Sequence, residues 1–411
     1  MATFEEQLNL YAELAVQVGL NVQKGQTIVI NAPLYAAEFV RKLARAAYET
    51  GAKHVMVEWN DEELGRIKYL HAPDEAFLEF PGWRAQGLEK LAEEGAAFLT
   101  IYAPNPDLLK DVDPKRISDA NKTAMTALKT YRHYQMTHQV AWSVISVPSE
   151  AWAQKVFPEL PVEEGMQELW NFIFKALRID TGNPIEAWQK HNAELRDSNG
   201  LLNERRFKQL IYTAPGTDLT IDLPDGHIWL GGAKRNGRGV MFNPNLPTEE
   251  VFTVPHKNGV NGTVRSTKPL VYSGQLIDGF SLTFENGRVV SFTAEQGEEA
   301  LERMLNTDEG ARRLGEVAIV PHASPISASN LVFYNTLFDE NASSHLALGQ
   351  AYQVNIEGGG NLTDEEMDAK GINQSLIHVD FMIGSGDMNI DGVTQDGERV
   401  PLVRSGNWVR E

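Results

Sequence analysis

The pattern of apolar residues changes near Lys208, and this change limits the possible folds more than any other feature of the chain. Before it, a strand-like run at 26–32, a helical period and a second strand-like run at 54–59 form the pattern of a βαβ unit. Strand candidates at 97–102 and 140–147 lie between further helical patterns. The first half is therefore predicted to contain a mostly parallel sheet.

Residues 149–207 have a helical pattern and are predicted to connect two domains. Helical patterns return at 298–305 and 341–352. Because 411 residues are too many for one ordinary core, we expect an N-terminal α/β domain over 1–200, which includes the helical connecting segment, and a C-terminal mixed, β-rich α+β domain over 201–411. The second domain is predicted to be antiparallel or mixed because its β-rich stretches are short and closely spaced. These stretches are 209–212, 219–223, 251–254, 262–265 and 289–293.

The composition excludes several classes of site and partner. There is no cysteine, which rules out disulfides, thiolate metal ligands and a cysteine nucleophile. The formal net charge of −19 argues against binding to nucleic acid phosphates and to anionic membrane surfaces. No apolar run reaches the roughly 20 residues that cross a bilayer. The first twenty residues contain no Lys or Arg and so lack the cationic start of an export signal. We therefore expect a cytoplasmic protein with no membrane partner.

His378 and Asp380 are the first candidate metal ligands. Both lie in the strand candidate 376–383, where alternate side chains share a face. Imidazole and carboxylate groups bind divalent metals at neutral pH, so two of them on one face would form a compact chelate. A half-exposed strand with its polar side chains turned to water is the alternative explanation of this pair.

His345 and Tyr352 are seven residues apart and would share a face of the helix predicted at 341–352. Glu340 precedes this helix. On an ideal helix Glu340 and His345 are about 140° apart, so both can bind one metal only if Glu340 lies at a frayed start. Alternatively, Asp339 and Glu340 cap the helix near its positive end.

Glu316 is the only charged residue of the apolar, strand-like run 314–320. A carboxylate in such a run is costly to bury unless it is paired or bound to a metal, so Glu316 is a further candidate ligand. Glu249 and Glu250 precede another apolar stretch, and neighbouring side chains of an extended chain face opposite ways. At most one of the two can readily join the site, and physical reasoning does not choose between them.

One motif points to a different metal. Asp387, Asn389, Asp391, Gly392 and Glu398 match the spacing of an EF-hand calcium loop. An EF-hand also requires a helix on each side, whereas the flanking residues here have strand patterns and the loop contains turn signals. We therefore do not expect calcium binding. The chain also lacks the Gly-x-Ser-x-Gly and His-Glu-x-x-His motifs of serine hydrolases and helix-based zinc proteases.

Taken together, four segments of the second half resemble the thermophilic-type metallo-aminopeptidases, the family of aminopeptidase T, aminopeptidase S and PepS. The resemblance extends over nearly the whole chain, but its specific motifs all lie beyond residue 240. The segments are Pro-Thr-Glu-Glu-Val-Phe at 247–252, Leu-Gly-Glu-Val at 314–317, Asn-Thr-Leu-Phe-Asp-Glu-Asn-Ala at 335–342 with His345 and Tyr352, and His-Val-Asp-Phe-Met-Ile-Gly at 378–384.

The resemblance implies a site with two divalent metal ions per chain, which could be zinc, cobalt, manganese or magnesium. It selects Glu250 over Glu249, and it implies an N-terminal α/β domain, a C-terminal catalytic domain and a homodimer. It also implies that Tyr352 lies beside the metals. The implied ligands are Glu250, Glu316, Glu340, His345, His378 and Asp380.

The expected activity is the release of N-terminal residues from peptides with a free amino terminus. Two dications roughly 3.5–4 Å apart would hold a bridging water as hydroxide and polarise the scissile carbonyl. Glu316 is expected to bridge the two metals, and Tyr352 to donate a hydrogen bond to the oxyanion. Two alternatives stay open: another two-metal hydrolase, such as an amidase or a phosphoesterase, and a non-catalytic protein that the metals merely stabilise.

Overall fold

The computed structural model describes residues 2–103, 105, 107–272 and 275–409. Two units can be distinguished in the chain. The first unit comprises Met1–Asn192 and Ala233–Pro247, and the second unit comprises Ala193–Gly232 and Thr248–Glu411. Of the described helices, none is both long and apolar enough to traverse a lipid bilayer.

The helices are α1 (Phe4–Leu14), α2 (Ala37–Thr50), α3 (Glu62–His71), α4 (Gly82–Glu93), α5 (Pro114–Ala127), α6 (Lys129–Met136), α7 (Glu150–Val156), α8 (Val162–Ala176), α9 (Pro184–Arg205), α10 (Glu298–Leu305), α11 (Thr336–Asp339) and α12 (Asp364–Ala369). The strands are β1 (Thr27–Pro33), β2 (His54–Asn60), β3 (Ala97–Ile101), β4 (Trp142–Ile145), β5 (Gln209–Ala214), β6 (Thr217–Asp222), β7 (Leu230–Gly231), β8 (Lys234–Arg235), β9 (Met241–Phe242), β10 (Val251–Thr253), β11 (Val260–Arg265), β12 (Leu270–Tyr272), β13 (Gln275–Ile277), β14 (Ser281–Glu285), β15 (Arg288–Thr293), β16 (Leu314–Ile319), β17 (His345–Gly349), β18 (His378–Met382), β19 (Asn389–Val393), β20 (Arg399–Arg404) and β21 (Asn407–Trp408).

The first unit contains a four-stranded parallel sheet in the order β2-β1-β3-β4. The predicted βαβ unit is therefore confirmed as β1, α2 and β2. Helix α2 is capped at its C-terminal end by Gly51, whose φ of 104° is in the left-handed region that glycine adopts without a steric penalty. The predicted mostly parallel α/β layer of the first half is confirmed as well.

The second unit contains a five-stranded sheet, β18-β17-β16-β10-β7, and an eight-stranded sheet, β15-β14-β11-β6-β5-β19-β20-β21. The pairs β10–β16, β16–β17 and β17–β18 are antiparallel, as the closely spaced β patterns predict. Side chains from both sheets and from α10 form one hydrophobic core. Val317, Leu346 and Phe381 join this core from the five-stranded sheet. The predicted β-rich α+β fold is thus confirmed.

The helix predicted at 341–352 is wrong. His345–Gly349 is strand β17, and all five of its residues are buried. Ser343, with φ of −169° and ψ of 158°, makes the backbone extended directly after a short 3-10 turn at Glu340–Ala342. A fully buried central strand reads as a continuous apolar run, which periodicity alone does not distinguish from a buried helix.

The segment with EF-hand spacing is part of a β-hairpin. Asn389 and Asp391 lie in β19, which pairs with β20 in antiparallel orientation. The Asp391 carboxylate forms an ion pair with Arg404. Strands on both sides of the turn, rather than helices, agree with the expectation that this segment is not a calcium-binding EF-hand.

Candidate metal centre

Four of the six candidate ligands lie in strands of the five-stranded sheet, on one of its faces. His345 of β17 pairs with Ala318 of β16, and Asp380 of β18 pairs with Ala347. Directly paired residues of an antiparallel ladder share a face, as do residues two apart on one strand. Glu316, His345, His378 and Asp380 therefore all project from the same side.

The opposite face of the sheet packs into the hydrophobic core. Val317, Leu346 and Phe381 alternate with the candidate ligands along β16, β17 and β18, and all three belong to the core. Because a shift of one residue in register would exchange the two faces, burial of these apolar side chains determines which residues face the site.

Small residues separate the candidate ligands on the site face. Ala347 pairs with Glu316 on one side and with Asp380 on the other, and Gly349 pairs with His378. A Cβ atom at Gly349 would lie 2.1 Å from the backbone oxygen of Ile377, so only glycine fits there. The positions between the candidate ligands are thus occupied by small residues that are themselves buried.

The side chains converge in two groups that share Glu316. The donor atoms of Glu250, Glu316 and His345 lie within 4.8 Å of one another, and so do those of Glu316, His378 and Asp380. Glu316 Oε1 is 3.4 Å from His345 Nε2, whereas Glu316 Oε2 is 3.9 Å from His378 Nε2. Each carboxylate oxygen of Glu316 therefore faces a different group.

The two histidines are held with Nε2 directed at the carboxylates. His345 Nδ1 lies 3.0 Å from the backbone oxygen of Ser343, and His378 Nδ1 lies 2.6 Å from that of Gln350. Since a carbonyl oxygen can only accept, each Nδ1 must donate its proton. In the neutral ring Nε2 then carries the lone pair, and this is the form that binds a metal.

The carboxylates around these rings are close enough to require a cation. His345 Nε2 is 3.3 Å from Glu250 Oε2, and His378 Nε2 is 3.3 Å from Asp380 Oδ1. Glu316 and His345 are buried, and Asp380 Oδ1 is a buried oxygen without a hydrogen-bond partner. Lone pairs at such distances repel one another unless a proton or a metal ion lies between them. The donor set therefore fits a divalent metal.

The close spacing of these carboxylates also shifts the pKa values of the two histidines and of Glu316. Burial works to lower the pKa of His378, but the Asp380 carboxylate and then Glu316 raise it to about 9. Burial likewise opposes protonation of His345, whose pKa Glu250 and Glu316 nevertheless hold well above its usual value. Burial and the charges of Asp380 and Glu250 raise the pKa of Glu316. Without a metal, the cluster holds protons instead.

Glu340 and Tyr352 lie beside the two groups. Burial and then the charges of Glu250 and Asp380 raise the pKa of Glu340 well above its usual value, which places this carboxylate in the same cluster. Glu340 is nevertheless absent from both groups of closely spaced donors. The Tyr352 ring lies over the His378 ring with 4.7 Å between centroids. Because His345 is on a strand, the predicted helical geometry of Glu340, His345 and Tyr352 does not apply.

Glu249 is not among the closely spaced donors. Its backbone N–H donates to Asn341 Oδ1 at 2.7 Å, and its side chain is buried outside both donor groups. Sequence reasoning missed the small residues of the site face, Ala318, Ala347 and Gly349. They lie two or four positions after Glu316 or His345 and so share a face with these residues, but this spacing is informative only when 345–349 is treated as a strand.

The chain is similar to known proteins along its entire length. A family model described as Thermophilic metalloprotease (M29) matches residues 4–408. Aminopeptidase 2 of Geobacillus stearothermophilus is 62% identical over 411 residues, with 100% of each chain covered. Aminopeptidase AmpS of Bacillus subtilis (strain 168) is 54% identical, with 99% of this chain and 100% of the relative covered.

A solved structure shares the fold. The structure described as wild-type AmpT from Thermus thermophilus superimposes with a TM-score of 0.92 at 45% sequence identity, covering 99% of this chain and 100% of that one. The similarity therefore includes both units and every candidate ligand segment.

Proposed function

Because this chain belongs to the thermophilic metalloprotease family M29, we propose that it is a two-metal aminopeptidase that removes N-terminal residues from peptides with a free amino terminus. The relatives that cover its whole length carry the name aminopeptidase. The observation that supports two metal sites is the position of Glu316, whose two oxygens face different groups of ligand-type side chains.

We assign the metal ligands to six side chains of the second unit, with Glu340 as the outermost member of the set. When bound, divalent metals would supply Lewis-acid polarisation of the scissile carbonyl and lower the pKa of an attacking water. The predicted division into domains at 200/201, with catalysis in the C-terminal part, belongs to this proposal. The six ligands are Glu250, Glu316, Glu340, His345, His378 and Asp380.

The protein groups would act by orientation and charge. The carboxylates of the cluster would attract the cationic α-amine of a peptide and so would favour unblocked amino termini. Tyr352 would donate a hydrogen bond from its hydroxyl group to the carbonyl oxygen. Burial and then the charges of Glu316 and Asp380 raise the pKa of Tyr352, so the phenol keeps its proton. Glu316 would contribute one oxygen to each of the two donor groups.

The charges around the site favour a peptidase over a phosphoesterase. Among the described residues, the ion pairs of the cluster carboxylates involve only His345 and His378, and neither Lys nor Arg takes part. A phosphoesterase usually places a cationic side chain against the phosphate. The identity of the metals, the homodimer and the cytoplasmic location stay predictions.

Metal analysis combined with a peptide panel tests the proposal. We expect about two ions per wild-type chain and release of the first residue from free-amine dipeptides. Glu316→Gln should retain at most one ion and lose at least about 100-fold in kcat/KM, because its oxygens serve both groups. Glu357→Gln, at an exposed ion pair with Arg206, is the matched control. Equal cleavage of acetylated and free-amine peptides would refute the proposal.

A further inference from the structure

We infer that Phe252 forms the wall of the site that contacts the side chain of the substrate's first residue, an inference that rests on the aminopeptidase function proposed above. Phe252 of β10 pairs with Ala318 of β16, which in turn pairs with His345 of β17. Paired residues share a face of the sheet. Phe252 therefore projects from the same face as the candidate ligands.

The exposure of Phe252 differs from that of its neighbours. Val251 and Thr253 are fully buried on the other face, whereas Phe252 is only partly buried. Its ring contacts the Tyr352 ring edge-on, with 6.3 Å between centroids, and the Tyr352 ring lies against His378. Phe252 and Tyr352 thus form an aromatic surface beside His378, and Phe252 itself is only partly buried.

The chemistry of an N-terminal residue fits this surface. The first side chain leaves the Cα atom that lies between the α-amine and the scissile carbonyl, and both of these groups must lie at the cluster for cleavage. The side chain is therefore confined to the cluster's border. The neighbouring positions on the same face are Ala318, Ala347 and Gly349, which are small and buried and so offer little apolar area. Phe252 supplies that area, so the wall should favour aliphatic and aromatic first residues over glycine.

The experiment compares Leu-Gly-Gly with Gly-Gly-Gly in the metal-loaded enzyme and in Phe252→Ala. We expect the ratio of kcat/KM for the two peptides to fall about tenfold in the variant, because truncation of a hydrophobic wall removes apolar contact only for leucine. Gly-Leu-Gly serves as the control for position, and its ratio to Gly-Gly-Gly should not change. Phe252→Leu, which keeps an apolar side chain, should lose less of the Leu-Gly-Gly preference.

Val290→Ala is the matched apolar truncation, since Val290 is exposed on β15, an edge strand of the other sheet of this unit. It should preserve the ratio. An unchanged ratio in Phe252→Ala would overturn the inference. Equal losses for both peptides would also overturn it, because Phe252 would then act only by supporting Tyr352. Failure of the proposed function would look different, since the wild type itself would release no residue from any peptide. If Phe252→Ala does not fold, the ratio in Phe252→Leu decides.

Discussion

The proposed chemistry of the site depends on the protonation states of two residues, His378 and Tyr352. His378 is held by a backbone carbonyl at Nδ1 and by carboxylates around Nε2, so its ring is fixed while its proton is exchangeable. Tyr352 contacts that ring, and burial and then the nearby carboxylate charges raise its pKa and keep its own proton in place. One residue must lose a proton before a metal can bind, and the other must keep one to act as a donor.

Metal binding should release protons. In the metal-free protein the pKa of His378 is raised to about 9, so at pH 7 the ring carries the proton that a metal must displace. Affinity should therefore rise with pH by about tenfold per unit for each displaced proton, and the contribution of His378 should level off above about pH 9. Calorimetry at pH 7 in two buffers of different ionisation enthalpy should show release of at least one proton per chain. A binding heat that does not depend on the buffer would contradict this prediction.

Tyr352→Phe should lower kcat without removing the metals. The variant keeps the ring against His378 but lacks the hydroxyl donor, and loss of one oxyanion donor costs about 100-fold in kcat. Steady-state kinetics should show that loss with little change in KM, and metal analysis should match the wild type. A kcat equal to that of the wild type would show that the hydroxyl takes no part in the reaction.

At the scale of elements, the site is a property of one sheet. In β16, β17 and β18, candidate ligands or small residues on one face alternate with core residues on the other. The same strand register buries the apolar face in the core and directs the metal-binding donor atoms to the opposite face. A change of register would therefore affect both the stability of the second unit and the candidate metal site. The 3-10 turn before β17 adds Glu340 from outside the sheet.

Ala347→Val tests the importance of the small residues. Ala347 is fully buried between Glu316 and Asp380 in the ladder, so two added methyl groups would enter the space between these carboxylates. We expect metal content and activity to fall together. The cost in the free energy of unfolding should stay near the ~1–3 kcal/mol typical of overpacking.

Leu348→Met is the control for this prediction, because Leu348 lies on the core face of the same strand. A volume-conserving swap there should cost less than about 1.5 kcal/mol and should preserve metal content. If Ala347→Val binds two ions and cleaves peptides at the wild-type rate, a small residue at position 347 is not required for metal binding or catalysis.

At the scale of the whole molecule, all candidate ligands and Tyr352 belong to the second unit, whose core is built from two sheets. A core of that kind does not require a metal to form, in contrast to small metal-dependent domains. The cluster is thus expected to serve catalysis, with stabilisation as a secondary effect of binding.

Chelation should separate these two roles. Removal of the metals should abolish peptide cleavage, while the far-UV circular dichroism stays native and Tm falls by less than about 10 °C. The shift follows from linkage, since a ligand at 100 times its Kd adds about 2.7 kcal/mol to stability. Restoring the metal should restore both values. Unfolding on chelation, in a wild-type protein that never cleaves peptides, would instead indicate a structural metal.

Local patterns were sufficient for much of the fold. The alternation of strand and helix before residue 208 predicted the parallel sheet, and the helix predicted at 298–305 coincides with α10. His378 and Asp380 were predicted to share a face from strand periodicity alone, and β18 confirms that geometry. These features depend on residues close together in the chain, where backbone preference and hydrophobic period act directly.

The arrangement around His345 depended on tertiary structure. The pattern at 341–352 predicts a helix because a central strand buried on both faces forms an almost continuous apolar run, here residues 346–349 after His345. The pairing of β10, β16, β17 and β18 then decided that Phe252, Ala318 and His345 share a row. The sequence by itself determined which side chains can bind a metal. Cross-strand register, selected by burial of the opposite face in a common core, decided which of them meet.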